Sequence, residues 1–368
     1  MAWYLERLEC CEMNDILLIV AFLLVTLLTP PLLNVMALAS TSTDGVYCSQ
    51  GVKYLKNSST IKSVYGDGVY SVSRYVFLGD STSRDSFHAF GDIFNYKCPD
   101  HSKGDMRKCT QRVKRDLHQR NKIVSTAEFY PFGRKQGWKR SLSKTYRQSM
   151  QGFVAQMTQK DVLVFNMGLH FDETATSRDY SSFYSEALTT LVQDLGLTSS
   201  YSRQRRCLNM TDPYLPYVIW RDTLPQHFNS TNGHYPFHNT SDRTTCVALS
   251  QSQRSGKMPS SSALTSSSTY VDDYGNINTC DPSCLSANWQ NDIATSVMQS
   301  LCVARASIWE EFSCLHMQHA KSYGDCSHMT DIGNLILVQR IVSQIFTAKN
   351  ISVDVNQIPD DEYTIAYA

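Results

Sequence analysis

Four side chains spread over most of a 368-residue chain have the types that acyl transfer needs: Ser81, Asn166, Asp325 and His328. Serine is a weak nucleophile at its own pKa, so it requires a base within hydrogen-bond reach and a third group that orients the base. Asp325 and His328, three apart in Asp325-Cys326-Ser327-His328, can meet on one turn, the carboxylate holding one imidazole nitrogen while the other faces Ser81. An oxyanion forming on the acyl carbon needs donors, and the expected ones are the backbone N–H of Ser81 and the side-chain amide of Asn166. Gly79-Asp80-Ser81 alone reads first as a turn with Ser81 near a helix N-cap. The ordinary α/β-hydrolase elbow, Gly-x-Ser-x-Gly, is absent. Arg84, Arg221 and His227 are candidates for binding a substrate carboxylate or hydroxyl, although Arg221 and His227 could equally brace the site loop. Cys314, His316, His319, Cys326 and His328 match no regular zinc spacing, so neither a metal nor a resident cofactor is expected.

These residues must be delivered to one place by the elements around them. Tyr75-Val76-Phe77-Leu78 is a continuous apolar run that stops at Gly79, as a strand buried on both faces does. Ser81 to Phe94 then carries Phe87, Phe90 and Phe94 at helical spacing, which predicts a helix packed back on the sheet with its N-terminal donors at Ser81. A second strand, Asp161 to Phe165, ends at Asn166-Met167-Gly168, and Ser182 to Leu195 follows as a helix. Leu215 to Trp220 is a third strand, ending at Arg221-Asp222-Thr223. Ala294 to Phe312 and Ile332 to Phe346 read as helices, with Asp325 and His328 between them. Strands alternating with helices indicate an α/β fold with a layered sheet and its site at the carboxyl ends of the strands.

Ile16 to Thr43 holds no charge and Ile16 to Leu28 is almost wholly aliphatic, which marks insertion into the secretory membrane. The favoured reading is a retained signal-anchor over residues 16–39 behind a short tail, residues 1–15; the alternative is a cleaved signal peptide with a small-residue site at Ala37-Leu38-Ala39. Five sequons, at Asn57, Asn209, Asn229, Asn239 and Asn350, are candidate glycosylation sites beyond it. Ten of the twelve cysteines also follow it, an even number suited to disulfides in an oxidising lumen. Residues 40–69 read as a stem, 70–350 as the catalytic domain with a serine-rich insertion at 250–279, and 351–368 as a C-terminal tail. The formal net charge is zero, which gives no reason to expect nucleic acid as a partner. Lys103 to Arg147 nevertheless holds fourteen Lys or Arg against three acids, either a solvated face or a surface for an acidic polysaccharide.

Gly79-Asp80-Ser81, Val164-Phe165-Asn166-Met167-Gly168 and Asp325-Cys326-Ser327-His328 resemble, in order, the Ser, Asn and Asp/His blocks of the SGNH (GDSL-type) hydrolase superfamily. Trp220-Arg221-Asp222-Thr223 with His227-Phe228 narrows the resemblance to its PC-esterase and trichome-birefringence-like branch. That resemblance implies a disulfide-stapled, three-layer α/β/α sandwich around a central parallel sheet. It implies a membrane-anchored Golgi enzyme of single-pass type II topology, or a secreted one, that places acyl groups, acetyl above all, on a glycan or polysaccharide acceptor. Ser81 would carry the acyl group, His328 would act as base and then acid, Asp325 would orient it and Asn166 would donate to the oxyanion. The acyl donor would be acetyl-CoA or an acetylated intermediate. The alternatives are an acetylesterase of the same family and, in another class, a non-catalytic glycan-binding protein with this fold. Departures are plain: Met329-Thr330-Asp331 replaces the Trp-Cys that follows the Asp-x-x-His in the plant enzymes, only Cys48 precedes Gly-Asp-Ser where those enzymes are cysteine-rich, and Gly133 and Gly137 both compete for the glycine of the second block.

Overall fold

A computed structural model describes residues 51–97, 107–113, 122–131, 153–169, 180–197, 216–229, 245–249, 254, 270–271, 277–278, 288–319, 325–349, 351 and 358–366. In chain order these contain β1 (Val52–Leu55), α1 (Ser58–Ser71), β2 (Arg74–Gly79), α2 (Ser81–Ile93), β3 (Arg107–Val113), β4 (Lys122–Pro131), β5 (Asp161–Phe165), α3 (Tyr180–Asp194) and β6 (Tyr217–Arg221). There follow β7 (Tyr270–Val271), β8 (Ile277–Asn278), α4 (Trp289–Ser300), β9 (Ala304–Ala306), α5 (Trp309–Phe312), α6 (Asp331–Ala348) and β10 (Tyr363–Ala366).

The protein is an α/β fold built on a six-stranded sheet of order β3-β4-β2-β5-β6-β9. Five of those strands are parallel; β3 closes one edge antiparallel to β4. Central parallel strands are covered on both faces, so their sequences are uninterrupted apolar runs, and every residue of β5 and β6 is buried. Alternation divides the two faces. Tyr75 and Phe77 of β2, Val162 and Val164 of β5, and Tyr217 and Ile219 of β6 pack with residues of α1, α2 and α6. Val76, Leu78, Leu163, Phe165, Val218 and Trp220 pack on the other side with residues of α3 and α4.

The aromatic stripe of α2 behaves as its spacing predicts, with Phe87, Phe90 and Phe94 all fully buried. Phe90 stacks on Tyr75 at 4.7 Å between centroids and Phe87 meets Phe77 at 5.9 Å. Each such ring contributes about 1.5–3 kcal/mol by leaving water, and together they fix the rotation of α2 over β2. Chain order runs outward from β2 in both directions, to β4 on one side and to β5 on the other, so the direction of winding reverses beside its carboxyl end. A crevice forms at such a switch point, and Ser81 stands there.

Three expectations need correction. Residues 40–69 are not all stem: β1 and α1 are folded parts of the domain, with Val52, Tyr54, Leu55, Ile61 and Val69 buried. The C-terminal stretch 351–368 is not simply a tail, because β10 pairs antiparallel with β1, Val52 opposite Ala366 and Leu55 opposite Tyr363. The side-chain amide of Gln339 on α6 completes the seam, accepting from Leu55 N and donating to Leu55 O, each at 3.0 Å. The helix expected over Ala294 to Phe312 is interrupted: α4 stops at Ser300, Cys302 takes a positive φ of 54°, and Ala304–Ala306 joins the sheet as β9 beside β6. The hairpin of β7 and β8 lies within the serine-rich 250–279 stretch. The remaining residues of that stretch except Arg254, the apolar segment 16–39, and Gly133 and Gly137 lie outside the described residues. Among the described residues no helix is long and apolar enough to cross a membrane.

Candidate active site

The β2–α2 junction is built for close approach. Gly79 has no side chain because a Cβ there would stand 2.2 Å from Ser83 Oγ and 3.1 Å from the Asn166 carbonyl oxygen. Asp80 is the N-cap of α2; its Oδ1 accepts from Thr82 N at 2.9 Å, Thr82 Oγ1 at 2.6 Å and Ser83 N at 3.3 Å. That leaves Ser81 as the first helical residue, half-buried, with a backbone N–H that has no acceptor among the described residues. A free N–H in the first turn, aided by the helix dipole, suits a developing negative charge.

His328 arrives from 247 residues away, its Nε2 2.6 Å from Ser81 Oγ. Its Nδ1 lies 2.6 Å from Asp325 Oδ2, and Asp325 Oδ1 accepts from the backbone N–H groups of Ser327 at 3.1 Å and His328 at 3.0 Å. A carboxylate only accepts, so Nδ1 carries the imidazole proton and Nε2 presents its lone pair to the Ser81 hydroxyl. Burial on its own would raise the Asp325 pKa, but the hydrogen bond to His328, its charge and the two amides outweigh that and hold it below 3.8. Burial likewise acts to lower His328, and it is overcome by the bond to Asp325 and by the negative charges of Asp325, Asp85 and Asp80, which bring it above 6.5.

The loop bearing this pair is pinned from several directions. Cys326, inside the Asp-x-x-His turn, is bonded to Cys246, a closure of 80 residues. His227 N donates to Cys326 O at 3.1 Å, Val247 N donates to His227 O at 2.8 Å, and Gln226 Nε2 donates to Ser327 Oγ at 2.8 Å. Thr330 then caps α6 through Gly333 N.

The other expected site residues have different roles. Asn166 is 1 % exposed, and its Nδ2 donates to Arg221 O at 2.8 Å and to Thr223 Oγ1 at 3.1 Å. Both amide hydrogens are thus engaged in tying the ends of β5 and β6 together, and the expectation that they face the oxyanion is corrected for this state of the protein. Gly168 belongs to the same joint, since a Cβ there would meet Thr223 Oγ1 at 2.1 Å. Arg221, 1 % exposed, does not reach out to substrate; its Nη2 donates to Thr82 Oγ1 at 2.9 Å and Ser83 Oγ at 3.0 Å, bracing the first turn of α2 from behind. Burial lowers its pKa, against the opposing pull of Asp80, Asp222 and Asp85. Neighbouring Asp222 is fully buried and holds Arg305 of β9 through Nε at 2.5 Å and Nη2 at 2.9 Å.

His227 is also sealed in the interior; its ring nitrogens face His319 and the Ser313 carbonyl, and its ring lies 6.3 Å from that of His316. Arg84, one turn along α2 from Ser81, pairs with Asp85 at 3.4 Å and is half-buried. Asp85 was not among the expected site residues, although its position four after Ser81 puts both on one helix face. Burial raises its pKa, with His328 and Arg84 acting against the rise.

Among the described residues no group of three or more His, Cys, Asp or Glu could hold a metal ion. Cys314 and Cys326 are both disulfide-bonded, which removes the two thiolates a zinc reading would have used. Of the sequons, Asn57 and Asn229 are exposed, and Asn209, Asn239 and Asn350 lie outside the described residues. A scan against models of known protein families finds none that matches the chain, and a search of curated proteins likewise finds no match.

Proposed function

We infer that the protein is a serine-dependent acyl-transfer enzyme, and that its physiological role is O-acylation, acetylation above all, of glycans or polysaccharides in the secretory lumen. The observation that carries this reading is the unbroken hydrogen-bonded line from Asp325 through His328 to Ser81, made by residues from opposite ends of the domain. In the first half-reaction Ser81 Oγ bonds to the acyl carbon as its proton passes to His328 Nε2. The leaving group departs with that proton. In the second, His328 takes the proton of an acceptor hydroxyl as its oxygen bonds to the acyl carbon, then returns that proton to Ser81 Oγ as the Oγ–acyl bond breaks. Asp325 stays ionised throughout and stabilises the imidazolium. The Ser81 N–H is the donor in hand for the oxyanion. No tightly bound cofactor is required; the acyl donor, acetyl-CoA or an acetylated intermediate, is a co-substrate.

An SGNH-type fold of the PC-esterase and trichome-birefringence-like branch is the family reading that accompanies this function. Its support is the order of the motifs and the position of Ser81 at the switch point of a parallel sheet covered on both faces. The disulfide and the two exposed sequons favour a lumenal catalytic domain, on a Golgi membrane anchor or secreted. A second reading, an acetylesterase, is favoured by the half-exposure of Ser81, which lets water reach the same acyl-serine.

Both enzymatic readings are tested by incubating the protein with a serine-directed fluorophosphonate and an acyl-fluorophore ester. Wild type should label and turn over ester, and Ser81→Ala should do neither. A wild-type protein inert to both probes would leave only a glycan-binding role. Mass gain of oligosaccharides, followed against free acetate after adding an acetyl donor, separates transfer from hydrolysis.

A further inference from the structure

His227 and His319 are both 0 % exposed and neither touches Ser81, yet they form a line that ends on the catalytic turn. His227 Nε2 lies 3.0 Å from Ser313 O, His227 Nδ1 lies 2.5 Å from His319 Nε2, and His319 Nδ1 lies 3.1 Å from His328 O. The same turn is held in register by the bridge between His319 and Met329 and by Thr330 N donating to Gln318 O at 2.7 Å.

Each terminal carbonyl only accepts, so each terminal ring nitrogen needs a proton, and the central nitrogen–nitrogen contact needs one more. Three are required, whereas two neutral imidazoles carry two. Burial drives both rings toward neutrality, His227 to about 3 and His319 to about 4. Near neutral pH one contact therefore lacks its proton. The ring–ring contact, the shortest of the three at 2.5 Å, takes one of the two protons, and the other goes to the carbonyl end with the more negative surroundings. His316 and His328 disfavour positive charge at His319, while Asp325 and the His328 carbonyl favour it. His227 is disfavoured by His316 and His319 and favoured only by the Ser313 carbonyl.

We propose that His227 and His319 are positioning residues for the catalytic histidine, a buried two-ring strut in which His319 keeps a proton on Nδ1 and donates it to the His328 carbonyl. His227 then donates from Nδ1 to His319 Nε2, and the end short of a proton is the one at Ser313. The strut rests on the triad reading because its purpose is to hold the backbone from which the His328 imidazole reaches Ser81.

Two measurements test it, one of which needs no activity. Imidazole nitrogen–proton correlations on the full chain should show a protonated His319 Nδ1; an unprotonated Nδ1 overturns the proposal whether or not Ser81 is reactive. The second is fluorophosphonate labelling of two variants. The amide nitrogen of asparagine stands where Nδ1 of histidine does, and that of glutamine where Nε2 does, although glutamine is nearer to histidine in size. His319→Asn keeps the donor to His328 O and should label within about threefold of wild type, whereas His319→Gln should fall by about tenfold or more. The opposite ranking, or equal rates, is the result of a side chain that merely fills space and overturns the strut. Absence of labelling in wild type itself would instead count against the acyl-transfer reading, with the spectrum still deciding the strut.

Discussion

At the scale of single residues, the balance of charge around His328 decides how the site responds to pH. Its pKa is raised, so the imidazole is protonated and useless as a base until pH passes a value above 6.5. On the acyl-transfer reading, the acid limb of ester turnover belongs there. Asp325→Asn removes the strongest of the influences that raise it, so the limb should move to lower pH while the plateau rate falls by about 10²–10⁴-fold. A pH–rate profile of the variant checks both; a limb that stays in place would mean that His328 is not the titrating base. The Asp325–His328 pair was legible in the sequence because its information is local: Asp-x-x-His closes on itself through the Ser327 and His328 amides. The direction of the Asn166 amide was not legible, since it depends on which strand lies beside β5. His319 and His227 were equally hidden, for their meeting depends on the fold of residues 92 apart.

At the scale of elements, the tightest joint is the passage from β2 into α2. Gly79, Ser83 and Arg221 form a stack in which each leaves room for the next, and Ser81 lies midway between Gly79 and Ser83 in the chain. Gly79→Ala puts a methyl group into Ser83, whose hydroxyl also holds Arg221, so it should destabilise the fold by about 1–3 kcal/mol. Its effect on fluorophosphonate labelling should exceed what the loss of folded protein explains, because displacement of Ser83 moves the first turn carrying Ser81. Denaturant midpoints measured beside labelling rates distinguish the two. The long central strands and the helices α2, α3 and α6 could be read from sequence because continuous apolar runs and a 3.6-residue stripe are strong signals. A three-residue strand such as β9 carries no period of its own; only the neighbouring Ile219–Arg221 edge makes Ala304–Ala306 a strand.

At the scale of the whole molecule, the ribbon of β1 and β10 is what the sequence concealed most. Four-residue strands are stable only with a partner, and here the partner is at the other end of the domain. A chain shortened to end before Pro359 loses that partner, together with the contacts of Glu362 to Lys56 N and Thr60 Oγ1. It should lose about 1–3 kcal/mol of stability and become open to proteolysis around residues 51–57, while the triad residues are untouched. Limited digestion followed by N-terminal sequencing reads this directly; an uncut β1 would show that α6 and Gln339 suffice to hold it.

The span between Ser81 and His328 also has a meaning in time. A ribosome releases the serine and its helix cap long before the base exists, and β1 waits longer still for β10. Every nascent chain that stops short of His328 therefore carries a serine without the histidine that bonds to it. On the acyl-transfer reading, products of premature termination before His328 are chemically silent.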